Sequence, residues 1–211
     1  VSDDEASTSL FLTIRVVSEI TVYEGYTLAW NDEFSGTEID ALTWGFEIGD
    51  GAGTAAGKGW GNSELQVYTD APENATIEVD SEGNSVLTIM AQKETVMVNG
   101  METDSFTSAR LTTEFLKTVR YGKIDIRAKL PEGQGFLPAI WLLGDNRPQV
   151  GWPGSGEIDM MELIGSRPEK IISTIHYVNG EFLYVVESQG EVLLNAEKFS
   201  DDYHLFTLDW D

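Results

Sequence analysis

Apolar or β-branched residues alternate with polar ones over short stretches of the chain: TSLFLTIRVV (8–17), SVLTIMAQ (85–92), GKIDIRAKL (122–130), KIISTIHYV (170–178), EFLYVVES (181–188) and HLFTLDW (204–210). A period of two sends successive side chains to opposite faces, which is the pattern of strands with one buried side. Turn clusters punctuate them at PEN (72–74), SEGNS (81–85), VNG (98–100) and VNGE (178–181). Only EIDALTW (38–44) and NAEKFSDDY (195–203) offer a helical turn, and no apolar run keeps a helical period over a useful length. Many short strands with few helices predict an all-β domain, a sandwich or jelly roll.

Residues 1–23 differ in character: an acidic, polar start, one alternating strand, then SEITVYEG. They read either as the first strand of the main domain or as the end of a preceding module with a linker, the main domain then covering 24–211. The chain starts at Val1 without a cationic-then-apolar leader and stops inside the strand-like FTLDWD, so both ends are expected to be cuts in something longer. The segment GDGAGTAAGKGWGN (49–62) is a long loop. It is not a phosphate loop, because Ala52 stands where the first Gly is needed and Gly59 follows Lys58 where Ser or Thr would bind magnesium.

Composition narrows the function. With 211 residues the chain is sized for one domain, and 41% hydrophobic residues exclude disorder for its bulk. Thirteen basic residues stand against 36 acidic ones, a net charge of −23. That field repels phosphate backbones and anionic lipid, which excludes charge-driven nucleic-acid binding. No apolar run approaches the ~20 residues of a membrane span, so no membrane insertion is expected. The absence of cysteine excludes disulfides, thiol catalysis and Cys-bound zinc.

The densest chemistry lies in GSGEIDMMELIG (154–165). On a strand Glu157 and Asp159 share a face, but strict alternation would bury Glu162 and expose Met161. A lone buried carboxylate costs several kcal/mol, so a bulge at Met160–Met161 is the cheaper arrangement. It returns Glu162 to the acidic face and buries both methionines. The two Glu Cα atoms are then on the order of 13 Å apart, and inward-leaning side chains reach the ~5–5.5 Å carboxyl gap of retaining glycosidases. Three crowded like charges raise at least one carboxyl pKa, as a general acid requires, and the trio titrates as a unit. Two other readings fit the same residues: a solvated acidic face, the commoner fate of alternating acids, and a cation site.

GEIDMMELIG resembles the active-site strand of glycoside hydrolase family 16, Glu-x-Asp-x-x-Glu with the extra bulge residue. WNDEFSG (30–36), GNSELQVYT (61–69), FTSARLTT (106–113), YGKIDIRAKLP (121–131) and LPAIWLLG (137–144) resemble further stretches of that family in the same order, so the resemblance runs from about Tyr26 to Asp211. It implies a β-jelly-roll sandwich of two antiparallel sheets with a concave glycan-binding cleft, its C-terminal strands lying beyond this chain. It also implies retaining endo-hydrolysis of a β-glucan, with Glu157 as nucleophile, Asp159 as its electrostatic partner and Glu162 as acid/base. The bulged spacing resembles the laminarinase, agarase and carrageenase side of the family, and NSELQVYT favours β-1,3-glucan. Leu137 stands where the family usually carries a Trp before Pro138.

The resemblance also implies substrate contacts. Trp152, in a Gly/Pro loop, offers an aromatic face to a sugar ring. Asn62 and Glu64 present planar polar groups suited to sugar hydroxyls, and Arg110 either does likewise or pairs with an acid. Trp141 belongs to core or cleft; Arg127, which shares its strand face with Asp125, belongs to the polar lining of the cleft or to a cross-strand ion pair on a solvated sheet; His176 belongs to the cleft or simply to the fold, and His204 reads as structural. Glu33 and the Gly83 carbonyl resemble the family's structural calcium site, while no cofactor is required for the chemistry. Asn74-Ala75-Thr76 is a glycosylation sequon in a host that glycosylates. The expected protein is a monomeric enzyme, secreted or on the cell surface, because a polymer substrate does not enter cells. A silent glycan-binding sandwich, a hydrolase of mixed-linkage glucan or agarose-like galactan, and a calcium-dependent adhesion domain are the competing functions.

Overall fold

The computed structural model describes residues 10–15, 22–98, 101–179 and 184–211. Most of the 1–23 segment, the ends of the 8–17 strand, the last two residues of the VNG turn, the Gly-Glu pair of the VNGE turn and the first three residues of the 181–188 strand lie outside them. The described residues are almost wholly strand and loop. Apart from β1 (Leu10–Arg15), whose pairing does not bear on the site, the strands fall into two compact units, one built on Asp32–Leu116 and one on Lys117–Asp211 with the described part of Ile14–Asn31.

In the first unit β2 (Gly45–Glu47) pairs antiparallel with β7 (Arg110–Thr112), and β3 (Gln66–Tyr68) runs parallel to β6 (Met101–Ser108). β6 pairs antiparallel with β5 (Ser85–Val98), which pairs with β4 (Ala75–Val79). Val86 and Leu87 are buried here, and the 49–62 loop is tied down rather than loose. Its Trp60, at φ 53, is 8% exposed and donates Nε1–H to the Gly49 carbonyl at 3.3 Å. Gly51 (φ +82) has no room for a side chain, since a Cβ would meet the Gly57 carbonyl oxygen at 2.4 Å. Asn74 is 1% exposed, and its Nδ2 donates to the Met90 carbonyl at 3.1 Å and to Thr107 Oγ1 at 3.0 Å. The sequon nitrogen is thus consumed in the folded chain, and the glycosylation reading gives way to a core hydrogen-bond hub.

In the second unit four strands lie in the order β12 (Tyr184–Leu193), β11 (Lys170–Val178), β10 (Glu157–Leu163), β9 (Ala139–Leu143), all antiparallel. β8 (Gly122–Lys129) pairs with β13 (His204–Trp210). The period-two pattern decides which face is buried: Ala128 and Phe206 go inward, while Lys123 and Asp125 face outward to Asp209, Tyr23 and Thr207. Met161, Leu163, Leu130, Ile171 and Phe199 are buried as well, each fully buried large side chain contributing about 1.5–3 kcal/mol of hydrophobic stabilisation. One helical turn, α1 (Arg147–Val150), sits in the β9–β10 loop, where Pro148 suits a first turn; the two stretches expected to turn helically, 38–44 and 195–203, form turns only.

Candidate active site

β10 carries the three acids, and its neighbours report how. On β9 the partners of Glu157, Asp159 and Glu162 are Leu143, Trp141 and Ala139; on β11 they are His176, Thr174 and Ile172. Both sets advance in steps of two, so the three acids point to the same face although two residues, Met160 and Met161, separate Asp159 from Glu162. The surplus residue is Met160, skipped between Asp159↔Trp141 and Met161↔Ile140. This is the bulge expected from the sequence. Ser173 Oγ donates to the Met160 carbonyl at 2.9 Å, satisfying a backbone acceptor that the irregular ladder frees, and both methionines are buried.

Residues directly opposite in an antiparallel pair share a face, which places Trp141, Thr174 and His176 beside the acids. The open choice for Trp141 between core and acid face is thereby settled toward the acids. His176 Nε2 lies 3.1 Å from Asp159 Oδ2. Trp152 Nε1–H donates to Glu157 Oε2 at 2.6 Å, and the Trp152 ring packs tilted against His176 with centroids 5.9 Å apart. Thr174, 8% exposed opposite Asp159, had no signal in the sequence because strand register was unknown.

Charge follows geometry. Asp159 is 4% exposed, and burial, then the charges of Glu157 and Glu162, then its hydrogen bond with Glu157 raise its pKa to about 8. Near neutral pH it keeps its proton and can donate to Glu157. Glu162 is also raised, by burial first and by the Glu157 charge, with His176 pulling the other way. A carboxyl that holds its proton toward neutrality can act as a general acid.

The oxygens and nitrogen of Glu157, Asp159 and His176 lie within 4.8 Å of one another, a spacing compatible with a cation. In this structure their side chains bond among themselves and to Trp152. Glu33 and the Gly83 carbonyl supply at most three oxygens where calcium takes six to eight ligands. Further oxygens, from other groups or from water, would have to complete such a site.

The remaining candidates are carried by other strands and loops. Asn62, Glu64 and Arg110 form a second cluster in the first unit: Asn62 Nδ2, Gln66 Nε2 and Tyr68 OH all donate to the Glu64 carboxylate, at 3.3, 2.6 and 2.8 Å. Burial and the Glu64 charge push the Tyr68 hydroxyl pKa upward. Arg110 pairs with Glu47 and stacks over Trp60 at 4.7 Å, so its acid partner is identified, and Trp60 packs on Tyr68 with centroids 5.7 Å apart. Glu47, Trp60, Gln66 and Tyr68 were not anticipated; a strained Trp in a glycine-rich loop was the available signal. Arg127 stands on the outward face of β8, its guanidinium 5.7 Å from the Tyr203 ring centroid. Asp125, meanwhile, accepts from Tyr23 and Thr207. Among the described residues no carboxylate pairs with Arg127, and the Tyr203 ring is what its guanidinium faces. His204 packs edge-on against Phe199 at 4.9 Å, as a structural histidine does.

A model of the family described as "Glycosyl hydrolases family 16" matches residues 58–211. The chain is 33% identical over 189 residues to glucan endo-1,3-beta-glucosidase A1 of Niallia circulans, covering 89% of this chain and 27% of that protein. It is 38% identical over 190 residues to glucan endo-1,3-beta-glucosidase of Cryptopygus antarcticus, covering 88% and 63%. The chain therefore spans less than two thirds of the length of these relatives. Among solved structures, the catalytic domain of an endo-1,3-beta-glucanase (laminarinase) from Thermotoga petrophila RKU-1 superposes with a TM-score of 0.76 at 41% identity, over 90% of this chain and 71% of that one. Likeness of that degree establishes the fold class as all-β, in keeping with the strand pattern, and as the β-jelly-roll that the family resemblance implies.

Proposed function

The chain belongs to glycosyl hydrolases family 16, and from that premise we propose that the intact protein cleaves internal β-1,3 linkages of a laminarin-type glucan with retention of configuration. The observation that carries the reading is the bulged β10, which sets Glu157, Asp159 and Glu162 on one face, where burial and the flanking acids raise the pKa of the central one. In the first step a Glu157 carboxylate oxygen attacks the anomeric carbon. The glycosidic C–O bond breaks, its electron pair stays on the leaving oxygen, and that oxygen takes the proton of Glu162. In the second step Glu162, now a carboxylate, removes a proton from water. The water oxygen attacks the anomeric carbon and the ester electrons return to Glu157. Asp159, holding its own proton, donates to Glu157 and spares the site a second negative charge beside it. Trp141 and Trp152 supply aromatic surface near the acids, to which sugar C–H faces adhere.

The polymeric substrate places the enzyme outside the cell or on its surface, working as a monomer, with any calcium structural. Reducing-end release from laminarin by the full-length protein tests the reading. Glu157→Ala and Glu162→Ala each lower turnover by at least about a thousandfold while glucan still binds, since each removes an essential step of the chemistry. Full turnover in either variant refutes it, and retardation on laminarin gels without product from the unaltered protein supports a silent binding module.

A further inference from the structure

We infer that Trp152 is a positioning residue for Glu157, its indole N–H holding one carboxylate oxygen so that the other is presented to the anomeric carbon; this rests on the reading of Glu157 as nucleophile. A tryptophan that served only as a sugar platform would need its ring face and nothing from its nitrogen. Here Nε1 is 2.6 Å from Glu157 Oε2, the length of a strong charge-assisted hydrogen bond.

The indole is held from behind. Its loop closes on itself through Ser155 N–H to the Gly151 carbonyl at 2.9 Å, Gly156 N–H to the Pro153 carbonyl at 3.0 Å and Gly144 N–H to the Gly156 carbonyl at 3.2 Å. The ring leans on His176, His176 reaches Asp159, and Asp159 is bonded to Glu157, so four side chains form a closed circuit. A carboxylate fixed at two points cannot swing away when the sugar arrives. During glycosylation the oxygen that the indole does not hold forms the bond to carbon. Oε2 becomes the carbonyl oxygen of the glycosyl ester with the N–H still on it, and it takes back its charge when water releases the sugar.

Two substitutions in the full-length protein separate positioning from stacking. Trp152→Phe keeps an aromatic face and loses the donor, whereas Trp152→Ala loses both. Positioning predicts that Trp152→Phe lowers kcat about tenfold to a hundredfold with KM little changed, the scale on which misplaced reacting groups cost rate. It also moves the acidic limb of the kcat/KM profile to higher pH; Trp152→Ala adds a rise in KM. A Trp152→Phe enzyme with unchanged kcat and an unshifted acidic limb overturns the inference. A second measurement needs no turnover: the Trp152 indole proton resonance of the unaltered protein lies downfield and moves upfield in Glu157→Ala. A resonance indifferent to that substitution also overturns the inference, whereas failure of the unaltered protein to hydrolyse glucan refutes the proposed function and leaves this test standing.

Discussion

A carboxyl group enclosed between two others keeps its proton to an unusually high pH, and Asp159 is in that position. The sign of the resulting stability change follows by linkage. From the ordinary value of 3.8 up to about 8, the folded chain binds the Asp159 proton more tightly than the unfolded chain, so stability falls as pH rises through that window. Asp159→Asn, which still donates to Glu157 but cannot ionise, should raise the melting temperature near pH 8 and give no such gain near pH 4. An equal effect at both pH values would contradict the assignment. Asn74 makes the opposite case, a neutral side chain whose removal strands buried partners: Asn74→Ala should cost about 1–3 kcal/mol in urea unfolding. Residue types were legible in the sequence at this scale and their partners were not. A His on a strand and a Trp in a Gly/Pro loop say nothing of facing each other until the register of β11 against β10 is known. The same ignorance hid Tyr23, far away in sequence, as a donor to the Asp125 carboxylate.

The unit that organises the acids is the strand β10 with its bulge. Alternation and the cost of burying Glu162 were enough to place that bulge from the sequence, because only one arrangement pairs every apolar side chain with the core. The alternation makes an asymmetric forecast. Deleting Met160 restores a regular strand in which all three acids still share a face, so that variant should keep about a hundredth of the laminarin activity or more. Inserting one Ala between Met161 and Glu162 turns Glu162 off the shared face if the bulge stays and carries it two ladder steps, roughly 6.6 Å, further along if the bulge is lost, so either way only background should remain. The reverse ranking would mean that the bulge matters for something other than facing. Met161→Ala, at a position with no solvent exposure, should cost about 2–5 kcal/mol of stability through the cavity it leaves. What the alternation did not reveal at this scale was α1 and the strained turn around Trp60, both made in loops where hydrophobic period is silent.

For the whole molecule the pattern of strands established the all-β class, and no composition argument could have added the order in which they pair. The net charge of −23 acts at this scale too: self-repulsion of an acidic surface is screened by salt, so melting temperature should rise as NaCl is raised toward about 0.5 M. A flat or falling dependence would mean that the acids are already neutralised by partners within the fold. The central claim, that Glu157 attacks carbon while Glu162 delivers a proton to the leaving oxygen, has a direct stereochemical consequence. Proton NMR of laminarin digested by the full-length protein, recorded before mutarotation, should show the β-anomer of the new reducing end appearing first. Initial release of the α-anomer would require a water between the carboxylates in place of a bond to Glu157, and would contradict the account.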